Sequence, residues 1–287
     1  VSIARQSSTD RQLDGVLVIN MDQRPERLER FRQVAPFHAA LQAWERFPAV
    51  DGQKLPGYGQ QPWFRGRARD KGWAGRAGCT LSHRRAIELA RQRGWRNVLI
   101  LEDDVDIGSN FDGELDSLLR TLDACASGWR MCYLGVSQAV GPGRHLAQLD
   151  AGKGLYTVFG CLGTFAYILK AEAYDWVLAQ LPDDNTIWPW LARHRAIDRW
   201  YARNLTRHLN VTAVSPSLIG HYASFSDIGQ RAGAVISQSG TEEDHSRPVI
   251  GRHPLIFTIG SAALRLYFLI AGLGNQLRAW QKKRRGL

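Results

Sequence analysis

The feature that most constrains this chain is the apolar run at residues 98–101 (VLIL), which ends abruptly in Glu102-Asp103-Asp104-Val105-Asp106. A strand with no polar residue along it must be covered on both faces, as in a mostly parallel sheet flanked by helices. In such sheets ligands bind beyond the carboxyl ends of the strands. Four carboxylates within five positions stand at one such end. On an extended backbone Glu102, Asp104 and Asp106 share one side and Asp103 faces the other. Acids this close repel one another. A hard divalent cation removes that cost and can bridge a diphosphate. The simpler reading is a solvated acidic loop leading into a helix, with Asp112 as its cap.

Other segments agree with an α/β chain. Residues 16–19 (VLVI) read as a buried strand, and Pro25 suits the first turn of a helix over residues 26–34. Residues 44–50 hold a second strand, ended by Asp51 and Gly52. Residues 57–73 are rich in Gly, Pro, Arg and aromatics and read as a long functional or mobile loop. Cys79, His83, Ala86 and Ala90 recur at helical spacing, so residues 78–93 should form a helix ended by Gly94. Further apolar runs lie at 131–134 and 155–169, and residues 171–181 read as a helix stopped by Pro182. Strands and helices alternate, which favours a mostly parallel sheet.

The chain has 287 residues, 44% of them hydrophobic, enough for one large packed domain or two small ones. The formal net charge is +10, which serves solubility or an anionic partner. Nucleic acid is not expected, because no binding motif is present and the basic residues are dispersed except near the C-terminal end. Cys79, Cys125, Cys132 and Cys161 show no CxxC spacing. This argues against a zinc site, and Cys79, Cys132 and Cys161, in apolar surroundings, read as small buried residues in a reducing compartment. The chain opens at Val1 rather than methionine, and no secretory signal is visible.

Several segments in order resemble glycosyltransferase family 25, which includes bacterial lipopolysaccharide galactosyltransferases. They are VINMD at 18–22 with Arg24 and Arg27, FPAVDG at 47–52, GCTLSH at 78–83, VLILEDDV at 98–105, YLG at 133–135, GTFAY at 163–167 and SDI at 226–228. The resemblance covers residues 14–230. It implies a GT-A-like (Rossmann-like) fold, a UDP-sugar donor, usually UDP-galactose, and inversion at the anomeric carbon. Some members glycosylate collagen instead. By position, Asn20, Asp22, Arg24 and Arg27 would line the nucleotide pocket, with Asp51 facing the uridine or ribose. Glu102, Asp103 and Asp104 would stand for the acidic metal site, holding Mn2+ or Mg2+. Asp104 also makes a literal D-x-D with Asp106, so two acid pairings are open to the metal. In many GT-A enzymes a late histidine completes the site, and His221 has that position.

An inverting transfer needs a base to take the acceptor hydroxyl proton. Asp198 is the candidate, beside aromatics that could stack on a sugar; the alternative is an acid paired with Arg195 or Arg199 on a helix surface. His83 reads as a buried histidine that steadies the acidic loop rather than as a catalyst. Trp188, Trp190 and Trp200 form either an acceptor platform or part of the core.

The expected organisation is a catalytic domain at 1–240, a linker at 241–253 and an amphipathic basic segment at 254–287. In the last, Thr258, Ser261, Arg265, Gly272 and Asn275 fall near one stripe of a largely apolar helix. A central Arg265 disfavours a span across a bilayer. A helix lying in the interface, with Trp280 and Lys282 to Arg285 at the headgroups, is easier. The alternative is packing on the domain or a dimer contact. The expectation is a metal-dependent transferase moving a hexose from a nucleotide-sugar donor to a glycan or glycolipid acceptor. It would work in the cytoplasm, peripheral on the inner face of the cell membrane. The competing readings are a noncatalytic sugar or nucleotide binder on the same fold, a protein glycosyltransferase, and a membrane scaffold.

Overall fold

Strand β1 (Gly15–Asn20) is buried along its whole length, and its side chains alternate between two cores. Leu17 and Ile19 face one layer of helices; Val16 and Val18 face the other. The same alternation runs through the strand that precedes the acids, with Ile100 on one side and Leu99 and Leu101 on the other. The computed structural model describes residues 13–66, 69–222, 225–226, 231–232 and 251–284. The expected linker falls mostly outside the described residues, as do Asp227, Ile228 and Arg285.

In chain order β1 is followed by α1 (Pro25–Val34), β2 (Trp44–Pro48), α2 (Arg69–Gln92), β3 (Asn97–Glu102), β4 (Val105–Ile107) and α3 (Phe111–Cys125). Then come β5 (Trp129–Tyr133), β6 (Gln138–Gln148), β7 (Gly154–Leu162), β8 (Ala166–Lys170) and α4 (Ala171–Gln180). The last are α5 (Ile187–His194), α6 (Ile197–Asn204), β9 (Asn210–Ser215), β10 (Ile219–His221) and α7 (Pro254–Arg284). The main sheet has eight strands in the order β2-β1-β3-β8-β5-β9-β7-β6. Only β8 and β7 run against the rest, so the sheet is mostly parallel in direction, as expected, although each of these two makes antiparallel ladders with both its neighbours. Helices α2, α4 and α6 cover one face through Ile87, Val177 and Tyr201, and α1 and α3 cover the other through Phe31 and Leu118.

Two expectations are corrected. Helix α2 begins at Arg69, inside the segment read as a loop. A Cβ at Gly78 would lie 2.2 Å from the Val50 carbonyl oxygen, and one at Gly52 would lie 1.8 Å from that of Ala74. Glycine at these two positions lets the loop after β2 lie directly on the helix backbone, while Gly72, Gly75 and Gly78 weaken the helical signal in the sequence. The Ser82 hydroxyl pins the same contact, accepting the Val50 N–H at 2.8 Å and donating to the Gly78 carbonyl at 2.7 Å. The acidic run is not one extended strand either. Asp103 and Asp104 form a turn between β3 and β4, so strand alternation stops there.

Helix α7 lies against the domain on a narrow stripe. Ser261, Asn275 and Ala279 are buried, Phe268 stacks on Phe159 at 5.9 Å, and Arg265 donates to the Thr206 carbonyl at 3.4 Å. Lys282 donates to the Trp63 carbonyl at 2.8 Å and sits 4.0 Å above the Trp73 ring. The opposite face exposes Leu255, Ile259, Leu266, Ile270 and Leu273, each about 60% accessible. By length and composition the helix could cross a membrane, with a mean hydropathy of 1.8 over its most apolar window.

Candidate active site

The turn after β3 brings both aspartates onto one arginine. Arg27 Nη1, from α1, lies 3.0 Å from Asp103 Oδ1 and 3.2 Å from Asp104 Oδ2. Both carboxylates are buried, each 6% exposed. Asn20, at the end of β1, donates from Nδ2 to Asp103 Oδ2 at 2.7 Å and to the Arg24 carbonyl at 2.9 Å. Arg46 Nε donates to Asn20 Oδ1 at 2.9 Å, and its guanidinium also pairs with Asp22. Burial pushes the Asp103 carboxyl up to about 6, and the neighbouring charge of Asp104 adds to this, while Asn20 and Arg27 oppose it. One guanidinium does not fully offset two acids taken out of water.

Strand β10 closes over this turn. It pairs antiparallel with β4, placing His221 opposite Val105 and Gly220 opposite Asp106. His221 Nε2 lies 3.1 Å from Asp104 Oδ2, and the imidazole packs edge-on to Phe165. The Tyr222 N–H donates to the Asp104 carbonyl at 3.2 Å, and Arg30 covers the Tyr222 ring at 3.6 Å. In this ribbon Asp106 projects from the face opposite His221, because neighbouring positions alternate. Of the three residues expected at the metal, Asp104 and His221 meet directly, and Asp106 stands opposite Gly220 on the same ribbon. Asp106 is exposed, whereas Asp104 is buried.

Glu102, the last residue of β3, points to a second group. Its Oε1 accepts from Thr164 Oγ1 at 3.0 Å and lies 3.4 Å from His83 Nε2. The other ring nitrogen of His83 meets the Tyr167 hydroxyl at 3.0 Å. His83 is thus a buried link between the helix and the acid, as its sequence position suggests. Asp198 lies in the first turn of α6, and its Oδ1 accepts the Arg199 N–H at 2.6 Å. Burial raises the Asp198 carboxyl above the usual range, with the charge of Glu102 contributing, while the Arg199 backbone and guanidinium hold it down. A carboxylate held near Glu102 with a raised pKa suits a general base.

The remaining expected residues scatter around this centre. Arg24 pairs with Glu26 at 3.6 Å. Asp51 caps a short 3-10 turn by accepting the Gln53 N–H at 2.9 Å, in the loop that lies on α2. Trp188 and Trp200 are buried. Trp188 donates to the Pro56 carbonyl at 2.7 Å, and Trp200 stacks on Trp176, so these two rings serve the core. Sequence reasoning assigned no role to Arg46, Thr164 or Tyr222, although Arg46 lies in the expected strand at 44–50 and Thr164 in the GTFAY segment.

Among the described residues two arrangements, each with a histidine and at least one acid, stand where a cation could bind, and of these only the second brings three ligand atoms within 4.8 Å of one another. Asp103, Asp104 and His221 offer buried oxygens and an imidazole, a set that suits Mn2+, and a divalent ion would supply the charge that Arg27 alone does not. Cys79, His83 and Glu102 place one ligand atom each within 4.8 Å of one another, a softer set.

The mostly parallel sheet flanked by helices, with acids and an arginine gathered beyond the carboxyl end of β3, agrees with the GT-A-like (Rossmann-like) fold class expected from the sequence. Over residues 14–131 the chain matches glycosyltransferase family 25, described as Glycosyltransferase family 25 (LPS biosynthesis protein). It is similar to the Homo sapiens protein named Inactive glycosyltransferase 25 family member 3, with 34% identity over 59% of this chain and 29% of that one. The Bos taurus protein named Probable inactive glycosyltransferase 25 family member 3 is 30% identical over 75% of this chain and 38% of its own length. A Drosophila melanogaster protein named Glycosyltransferase 25 family member is 35% identical over 32% of this chain and 16% of its own. The chain spans roughly a third of the length of the two mammalian relatives.

Proposed function

We propose that this chain transfers a hexose, with galactose the expected sugar, from a UDP-sugar to a glycan or glycolipid acceptor in cell-surface polysaccharide assembly. The observation that carries the reading is the clasp of Arg27 on Asp103 and Asp104 at the end of β3, closed by His221. A manganese or magnesium ion bound there would stabilise charge on the departing diphosphate. Asn20 and Arg27 hold the two carboxylates in place for it. Asp198, whose carboxyl feels the charge of Glu102, takes the acceptor proton as the hydroxyl oxygen bonds to the anomeric carbon. The bond from that carbon to UDP breaks on the opposite face, which inverts the centre.

The exposed face of α7 supports a peripheral place on a membrane, on its cytoplasmic side. Its exposed apolar residues face away from the domain, and Lys283 and Arg284 stand at one end for anionic headgroups, while Lys282 is turned onto Trp63 and Trp73. The stripe bearing Arg265 is engaged with the domain, which favours lying in the interface over spanning.

A second reading is a noncatalytic nucleotide-sugar binder. One observation favours it: the two mammalian relatives are named as inactive. The deciding experiment is a thermal-shift screen of UDP-hexoses with and without manganese, followed by an assay for UDP release. A ligand that binds only the folded state raises the melting temperature. The transferase reading expects a manganese-dependent shift with one UDP-sugar and release of UDP from it. A shift without turnover in the presence of acceptor extracts selects the binder, and no shift with any UDP-sugar removes both.

A further inference from the structure

Exposed arginines in this chain commonly find carboxylates. Arg85 pairs with Asp184, Arg91 with Asp175, Arg93 with Glu45 and Arg120 with Asp116. Four arginines around Asp198 differ. Among the described residues Arg76, Arg195, Arg199 and Arg203 form no ion pair. Arg199 and Arg203 stand four apart on α6 and so share a face. Arg76 comes from α2, which packs on α6. Arg195 occupies the turn between α5 and α6 with φ 74°, a left-handed backbone that non-glycine residues rarely adopt. Such conformations persist where the surrounding structure enforces them, and they gather at binding and catalytic sites.

Arg195 and Arg199 stand close enough to Arg76 and to Arg203 to repel both. Burial lowers the pKa of Arg76 and of Arg203, and the charges of Arg199 and Arg195 lower both further. Asp198 is the single acid that opposes this in both cases. Four guanidinium groups around one carboxylate leave an excess of positive charge beside the candidate base. Guanidinium forks match the oxygens of a phosphate, which accepts two N–H bonds from each.

We propose that Arg76, Arg195, Arg199 and Arg203 form a phosphate subsite that holds a phosphate monoester of the acceptor beside Asp198. The assignment to the acceptor rests on the transferase reading above; the subsite itself does not. It adjoins α7, since Arg203 lies 5.1 Å over the Phe268 ring, so a lipid-linked acceptor would approach it from the membrane side.

The test is a titration of the full chain with inorganic phosphate by calorimetry, first alone and then with UDP at saturation. Saturable binding should persist with UDP present, because the donor diphosphate uses the acid turn instead. Arg199→Gln should weaken that binding about tenfold, the loss of one charge-assisted contact. Arg76→Lys keeps the charge and should retain most of the affinity. Absence of saturable binding, displacement by UDP, or an unchanged affinity in Arg199→Gln would each overturn the subsite. A parallel arm floats the same proteins on phosphatidylglycerol vesicles, where Arg199→Gln should behave as wild type. A flotation defect with phosphate affinity intact would make these arginines bilayer contacts and end the proposal. Phosphate binding is read without turnover, so its failure and that of the transferase reading are separate results.

Discussion

His221 Nε2 lies 3.1 Å from Asp104 Oδ2, the contact by which the late strand β10 closes on the acidic turn. If this pair helps hold a metal, His221→Ala should lower manganese affinity about 10–100-fold and leave the fold intact. Calorimetric titration with manganese in the presence of UDP measures this, and an unchanged affinity removes His221 from the metal set.

Asp198→Asn should cut turnover far more than UDP binding, because proton transfer belongs to the transition state. The sign of the pH effect follows from burial. The raised Asp198 pKa keeps the carboxyl protonated to a higher pH than an ordinary aspartic acid. Turnover should therefore fall as the pH drops, along a limb that lies above the usual aspartate range, and Asp198→Asn should lack that limb. Rates measured across pH for both proteins check this.

Gly78→Ala should destabilise the protein with little change in its chemistry. The new Cβ meets the Val50 carbonyl oxygen at 2.2 Å, so either α2 or the loop bearing Asp51 must shift. Overpacking of this kind costs about 1–3 kcal/mol. Chemical denaturation read by circular dichroism should show a lower midpoint with an unchanged slope.

Leu266→Asp with Ile270→Asp tests the membrane reading without removing α7. Both residues are about 60% exposed, so the domain should fold as before. Removing the whole helix is less clean, because it would uncover Phe159 and the Trp63 and Trp73 rings. Vesicle flotation should be strong for the wild type, lost in the double variant and weaker at high salt. Equal flotation of the two proteins would show that this face does not meet lipid.

Much of the frame was legible in the sequence, because β1 and β3 are apolar at 16–19 and 98–101 and a two-sided burial pattern has few other solutions. The acids at the end of β3 were legible for the same reason: polarity appears where the strand leaves the core. The start of α2 was not, since its glycines serve contact with another segment, and backbone contacts of that kind leave no period in the chain. The pairing of Asp103 with Asp104 on Arg27 was hidden too. It depends on a turn that replaces strand alternation, and two acids in sequence do not announce which way the backbone bends between them. The group around Asp198 needed α2 and α6 brought together, which only the tertiary structure does.

The central claim is that the acidic turn supports transfer from a nucleotide sugar. Its most direct test is UDP release from a panel of UDP-hexoses across manganese concentrations, with acceptor extract present, for the wild type and Asp104→Asn. The substitution keeps shape and removes one charge. The account predicts manganese-dependent release by the wild type and a fall of about 100-fold or more in a variant with unchanged circular dichroism. Wild-type rates in the folded variant, or no release by the wild type from any UDP-hexose, would contradict it.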